Sequence, residues 1–293
     1  VTELVQYAVD AISQGAIYAL IALSLGLLFS VMGLMNFAYG ELIMAGAYAM
    51  YYTRDWPWPA MVLAVIAAAT ITSVVLERIA FRPVRNASPA TLLVTSFALS
   101  IGLQQLAQMI FGTTSKGVAP FPQLDQAISI GSLTIPRLDV LTVVVSALVI
   151  AGLSLMLRRS DLGIQLRAST EDFTMARVLG VNADRVIVLA FALTGALAGV
   201  VALLLTFRNG IASPTVGSDP VLIAFVGAVI GGMGSIWGAA VGGFALGAAQ
   251  TLLQAALPTD LVPFTNAFAF AAVIAILVTR PGGLVARAQE VRV

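Results

Sequence analysis

The sequence predicts an all-α polytopic membrane protein with about eight or nine spans. Three observations carry this. Only 15 basic and 14 acidic side chains occur in 293 residues, and 59% of the residues are hydrophobic. The charges are not scattered, because 11–40, 56–76, 86–115, 140–157, 186–207, 220–259 and 261–279 carry none. No polar segment is long enough for a soluble domain, so 1–293 reads as a single transmembrane domain.

The first span is expected over about 11–33. Glu3 and Asp10 precede it where a secretory leader would carry Lys or Arg, so it reads as a retained span. A second span, about 37–53, is interrupted by Glu41. Trp56 and Trp58 with Pro57 and Pro59 form an interfacial loop. Span three covers about 60–77 and is followed by Arg82-Pro83-Val84-Arg85. Span four, about 90–111, holds Gln104, Gln105 and Gln108, a face for protein or a cavity and not for lipid. An irregular external stretch fills 112–138. Spans five and six cover about 139–157 and 186–206.

The 40 residues of 220–259 hold two spans, or one span and a re-entrant element. Gly231-Gly232-Met233-Gly234-Ser235 lies at the centre, with Gly238, Gly242, Gly243 and Gly247 following. Broken backbone at membrane depth is tolerated only inside protein or along a cavity. A last span covers about 261–279. Gly15, Gly26, Gly33, Gly102 and the pair Gly195 and Gly199 are expected at helix contacts.

With an odd number of passes, eleven basic residues share one side: Arg78, Arg82, Arg85, Arg158, Arg159, Arg167, Arg177, Arg185, Arg280, Arg287 and Arg292. Arg54, Lys116, Arg137 and Arg208 remain on the other. The positive-inside rule then places the N-terminus outside and the C-terminus in the cytoplasm.

Composition also excludes chemistry. With no Cys and no His, disulfides, thiolate or imidazole metal sites and Ser-His-Asp or Cys-His centres are absent. No nucleotide-binding motif is present, so any ATP must be bound by another chain, and a net charge of +1 gives no argument for nucleic acid.

Two places remain for function. The polar connection 158–185 predicts an amphipathic helix from Gln165 to Gly180, with Phe173, Met175, Val178 and Leu179 gathered on one face and Arg167, Glu171, Asp172 and Arg177 supplying polar groups. Such a helix lies in the headgroup layer, merely connects, or docks in a groove on a soluble partner. Glu41 reads as the one ionisable side chain well inside a span, so it should face protein or a cavity. It is a structural acceptor, a lining group of a substrate path, or a proton carrier. Asn36-Phe37-Ala38-Tyr39-Gly40 beside it reads as a tight turn or a central site.

Several segments together resemble a known family. Asn36 to Glu41, Glu77-Arg78 with Arg82-Pro83-Val84-Arg85, Arg167-Ala168 with Glu171-Asp172 and Met175-Ala176, Leu179-Gly180-Val181-Asn182, and Gly231 to Ser235 with Gly238 and Gly242-Gly243 resemble the high-affinity branched-chain amino acid ABC transporter permeases, of LivH type. Family members often carry His where Tyr39 stands, and Tyr39 keeps the aromatic ring. The resemblance implies an ABC importer permease fold in a bacterial inner membrane. It implies four kinds of partner: a second, LivM-type permease, two cytoplasmic ATPases, an extracytoplasmic substrate-binding protein and membrane lipid. The chain itself would be no enzyme and bind no cofactor, with ATP and Mg used by the ATPases. The helix near 165–180 would be the coupling helix, through Arg167, Glu171, Asp172, Met175, Leu179 and Gly180. The translocation path or gate would hold Asn36, Tyr39, Glu41, Gly231, Gly232 and Gly234. Leucine, isoleucine and valine are the implied substrates. Urea or a short-chain amide, and an ion-coupled secondary transporter, stand as alternatives.

Overall fold

The structure is a computed structural model, and it describes residues 2–85, 87–118, 127–130, 133–171, 173–232 and 235–279. Twelve helices carry the fold among these residues. They are α1 (Thr2–Met32), α2 (Tyr39–Thr53), α3 (Trp58–Leu76), which runs through a π turn at Glu77–Phe81 into α4 (Arg82–Val84), α5 (Pro89–Phe111), α6 (Arg137–Arg159), α7 (Asp161–Glu171), α8 (Phe173–Val178), α9 (Ala183–Asn209), α10 (Ser218–Gly231), α11 (Ile236–Ala256) and α12 (Thr265–Thr279). Two small antiparallel pairs join them. β1 (Lys116–Gly117) pairs with β4 (Ile211–Ala212), and β2 (Ala127–Ile130) forms a hairpin with β3 (Leu133–Pro136) in the register Ala127 opposite Pro136. The expected irregular stretch 112–138 thus contains ordered strands.

Local chemistry sets the helix ends. Ser88 accepts from the Thr91 N–H at 3.2 Å, and Pro89 follows in the first turn of α5, where its missing N–H costs nothing. Asn182 caps α9 at 3.2 Å, and Ser235 caps α11 through the Gly238 N–H. Gly210 closes α9 in the left-handed region at φ +66.

The span count is lower than expected. Among the described residues, six helices are long and apolar enough to cross a membrane: Val5–Met32, Trp58–Val84, Pro89–Phe111, Arg137–Arg159, Asp184–Asn209 and Ile236–Ala256. The helices α2 and α10 have 15 and 14 residues. At about 1.5 Å per residue they reach little over 20 Å, short of a bilayer core of about 30 Å. The uncharged run 220–259 is therefore one long helix preceded by one short one. Hydropathy registers both alike, but length differs because the backbone breaks at Gly232 (φ +96).

Helix α1 is the hub, with 83% of its apolar window buried, and it packs on α11, α9, α10 and α6. Small residues make this possible. A Cβ at Gly26 would sit 2.8 Å from the Ala239 Cβ, and one at Gly15 would sit 2.9 Å from the Phe244 carbonyl. The same device joins α3 to α9, where a Cβ at Gly199 would lie 2.6 Å from the Ile66 Cα and one at Gly195 would lie 2.7 Å from the Thr70 Cα. Gly102 departs from expectation, since open space surrounds it, and Gly33 serves a positive-φ turn and not a packing contact. Helices α3, α5 and α6 are only 28%, 22% and 22% buried over their apolar windows. Leu63, Met109 and Leu148 project from them largely exposed, as does Ile79 from the π turn after α3, as a lipid-facing surface requires.

Candidate functional site

The N-terminus of α2 meets α5 and the N-terminus of α10, and Glu41 lies at the meeting point. Backbone contact sets the approach, because no Cβ fits at Gly217 against the Gly40 backbone. Glu41 is only 2% exposed. Its Oε1 accepts from the Ser100 hydroxyl and from the Gln104 amide, each at 2.8 Å. The same amide nitrogen is 3.1 Å from Ser218 Oγ, so one cluster joins three helices. Glu41 Oε2 is buried with no protein partner. A carboxyl with one satisfied oxygen and one open one is costly in an apolar interior.

The neighbouring loop is built for shape. Asn36 Oδ1 accepts from the Ala38 N–H at 3.1 Å and fixes the turn into α2. Ser96 Oγ accepts from the Phe37 N–H at 3.3 Å, and the Phe37 ring stacks on Phe97 with centroids 4.1 Å apart. Phe225 of α10 closes on the other side of Phe37, at 4.9 Å. A narrow apolar pocket follows, lined by Leu25, Phe29, Asn36, Phe37, Val221 and Phe225 among others. Tyr39 is fully buried, and its hydroxyl donates to Ser24 Oγ at 3.1 Å. Its ring therefore points into the contact with α1.

Gly231 and Gly232 sit elsewhere. They end α10, while Ser218 beside Glu41 begins it, so about 20 Å of helix separates the two places. Gly231 lies against the Gly238 backbone, and a side chain there would collide with it. Gly234 lies outside the described residues.

The polar connection also differs from expectation. The helix begins at Asp161 and not at Gln165, and it is two pieces, α7 and α8. Asp172, between them, lies outside the described residues, as does the side chain of Glu171. Leu166 (1% exposed) anchors α7, and Gly163 lets it fold back on α6, where a Cβ would be 2.6 Å from the Leu157 Cα. Arg167 is exposed, with Nη2 3.5 Å from the Arg158 carbonyl. Gly180 (φ +91) ends α8, and the Val181 N–H reaches back to the Ala176 carbonyl at 3.0 Å, the six-to-one bond of a glycine-terminated helix. Met175, Val178 and Leu179 stand 54%, 77% and 78% exposed.

Sequence reasoning missed three buried or bridging acids. Glu77 is 2% exposed with Arg78 Nε 3.5 Å from it. Asp139 is 5% exposed and pairs with Arg208 Nη1 at 3.1 Å. Glu41 is thus not the one ionisable group buried in the bundle. Asp184 takes Arg85 at 2.6 Å and Arg82 at 3.3 Å, tying the end of α4 to the start of α9. The available signal was opposite charge at span ends assigned to one side of the membrane. No group of acids that could hold a metal ion occurs among the described residues.

Comparison with known proteins gives these features a context. The family described as "Branched-chain amino acid transport system / permease component" matches residues 7–278. The chain is 33% identical to the high-affinity branched-chain amino acid transport system permease protein LivH of Salmonella typhimurium, over 97% of this chain and 96% of that one. It is 33% identical to BraD of Pseudomonas aeruginosa, a permease protein named for the same kind of system, over 98% and 97%. It is 30% identical to the probable LivH of Methanocaldococcus jannaschii, over 94% and 90%. No solved structure matches. A match that begins in α1 and ends in α12, joined by near-full-length relatives, shows that the chain belongs to the branched-chain amino acid transport permease family.

Proposed function

We propose that this chain is a permease subunit of an ATP-driven importer for leucine, isoleucine and valine, in which partner ATPases supply the energy. The carrying observation is the family match over residues 7–278 with relatives of near-equal length. The chemistry agrees. The chain has no Cys or His and no nucleotide motif, so it is a conduit and not an enzyme. The urea alternative has no counterpart among the relatives named above.

The partners follow from this reading: a second permease of LivM type, two cytoplasmic ATPases that use ATP and Mg, and an extracytoplasmic binding protein. The segment α7–α8 is read as the coupling element. Met175, Val178 and Leu179 offer an exposed apolar face, and burying each in an ATPase groove would contribute about 1.5–3 kcal/mol. Arg167, Glu171 and Asp172 would make its polar contacts, and Gly180 would turn the chain into α9. The bridge from Asp184 to Arg82 and Arg85 would pass a displacement of α8 to both α4 and α9. In the bilayer the six spans are joined by α2, α10 and α12, with the turn at Gly232 as the apex of a re-entrant element. If α2, α10 and α12 each return the chain across the membrane the number of passes is odd, and on this reading the side rich in arginine faces the cytoplasm, with the N-terminus outside and the C-terminus in the cytoplasm.

The path or gate is placed at Asn36, Tyr39 and Glu41, extending toward Gly231, Gly232 and Gly234. Support comes from the two short helices starting at one point with an incompletely satisfied carboxyl between them. Half-length helices with convergent N-termini are a recurring way to build a central transporter site. The test is uptake by the reconstituted complex with both permeases, the ATPases and the binding protein. ATP-dependent leucine uptake, competed by isoleucine and valine and not by urea, is expected. Urea uptake without leucine uptake would overturn the substrate and leave the permease.

A further inference from the structure

A second polar site lies at the other end of the bundle from α7–α8. The start of α1, the end of α9 and the end of α11 enclose a pocket of about 600 Å³, inside the range of about 300–1,000 Å³ typical of small-molecule sites. Its lining carries one residue of each charge, Asp10 and Arg208. Asp10 and Gln14 stand one turn apart on α1, so their side chains share a face. The carbonyl oxygen of Gln14 is buried without a hydrogen-bond partner. That wall presents acceptors. Beside it, the end of α9 presents donors. Arg208 has five N–H groups, and its Nη1 serves Asp139 Oδ1 at 3.1 Å and Ser13 Oγ at 3.2 Å. Gln254 stands exposed at the rim, and Leu257 and Val262 add apolar lining.

This division has a chemical reading. An orphan acceptor beside a carboxylate calls for a group with several N–H donors. A guanidinium already fixed by one carboxylate holds its remaining donors in a plane that suits a second. A bare cation would leave Arg208 unused, and a simple anion would be repelled by Asp10. We propose that this pocket receives a free amino acid as its zwitterion. The ammonium sits on Asp10 and the Gln14 carbonyl, the carboxylate on Arg208 and Gln254, and the aliphatic chain lies against Leu257 and Val262. The inference rests on the amino acid reading of the importer, and on the N-terminus-outside orientation the pocket is the mouth that accepts released substrate.

The chain contains no cysteine, which permits a direct test. Thr259→Cys, at an exposed lining position given no contact to the amino acid, gives one thiol of this subunit at the rim of the complete importer, and its reaction with a small neutral maleimide is timed. Millimolar leucine or valine is expected to slow labelling by about fivefold or more, as near-saturation of a weak site would. Isoamylamine, which lacks the carboxylate, and 4-methylpentanoate, which lacks the ammonium, are expected to leave the rate unchanged. Asp10→Asn is expected to abolish the leucine effect, with Gln14→Leu in its place if the first variant does not assemble with its partners. No slowing by leucine, equal slowing by either analogue, or full protection in both acceptor variants would overturn the proposal. Loss of the function reading shows differently, as absence of leucine uptake by the unmodified complex.

Discussion

Helices α9 and α5 are both long apolar spans, yet they are held in opposite ways. Over its apolar window α9 is 67% buried, and it meets α3 through Gly195 and Gly199 with backbone almost touching backbone. Helix α5 is 22% buried and is attached through side chains: Ser96 to the α1–α2 loop, Ser100 and Gln104 to Glu41, Phe97 to Phe37, and Phe111 to Tyr48. In lipid no hydrophobic force drives helices together, so close packing and hydrogen bonds must do it. A glycine seam is a contact with one geometry. A hydrogen-bonded clasp can open and re-form elsewhere at little net cost. The difference assigns the glycine-seamed frame to α1, α3, α9, α10 and α11, and the side-chain clasp to the contact of α5 with α2 and the loop before it.

The largest expected effect breaks the seam. Gly199→Leu puts its Cβ 2.6 Å from the Ile66 Cα, where backbone cannot yield. Overpacking of this kind costs about 3 kcal/mol, and fluorescence-detected size-exclusion chromatography is expected to show little assembled protein. A variant that assembles with wild-type thermal stability would remove the distinction between seam and clasp.

Breaking the clasp should cost less and damage transport more. Glu41→Leu removes the acceptor of the Ser100 hydroxyl and one acceptor of the Gln104 amide, which keeps Ser218 Oγ, a loss of about 1–3 kcal/mol. Glu41→Gln retains an acceptor and is expected to assemble better. Thermal midpoints and leucine uptake of both variants check this, and equal values for the two would leave Glu41 no role. Leu179→Asp acts outside the membrane and should leave both contacts intact. Its 78% exposed side chain is expected to lose about 1.5–3 kcal/mol of ATPase docking, read as reduced co-purification of the ATPases. Normal co-purification would move the coupling contact elsewhere. The smallest effect is expected at Asp184→Asn. The ion pairs with Arg82 and Arg85 are exposed and screened by salt, so thermal stability should be unchanged at high ionic strength. The expected change is a lower transport rate per ATP hydrolysed, and unchanged coupling would confine the bridge to local structure.

How much could be read in advance depended on the kind of interaction. Gly180 as a helix stop was legible, because a positive φ is a property of one residue. The pairing of Gly195 with Gly199 was legible because small residues four apart share one helix face. Of the glutamines expected to turn from lipid, Gln104 and Gln108 are partly buried and Gln105 is exposed, and nothing in the sequence named Glu41 as the partner of Gln104, since 63 residues separate them. The expectation of eight or nine spans failed at α2, α10 and α12, of 15, 14 and 15 residues, because hydropathy sums over a window and does not see where a helix stops.

The sequence by itself determined the solvent of this protein, its family and its lack of nucleotide chemistry. Those follow from composition and from residues adjacent in the chain. Only the tertiary structure decided that Asp139 finds Arg208, that Asp184 spans two arginines, and that Asp10 and Arg208 face one pocket. Each joins helices distant in sequence. Isolated charges at span ends are equally stable facing water, so only the packing of the whole bundle selects the partner.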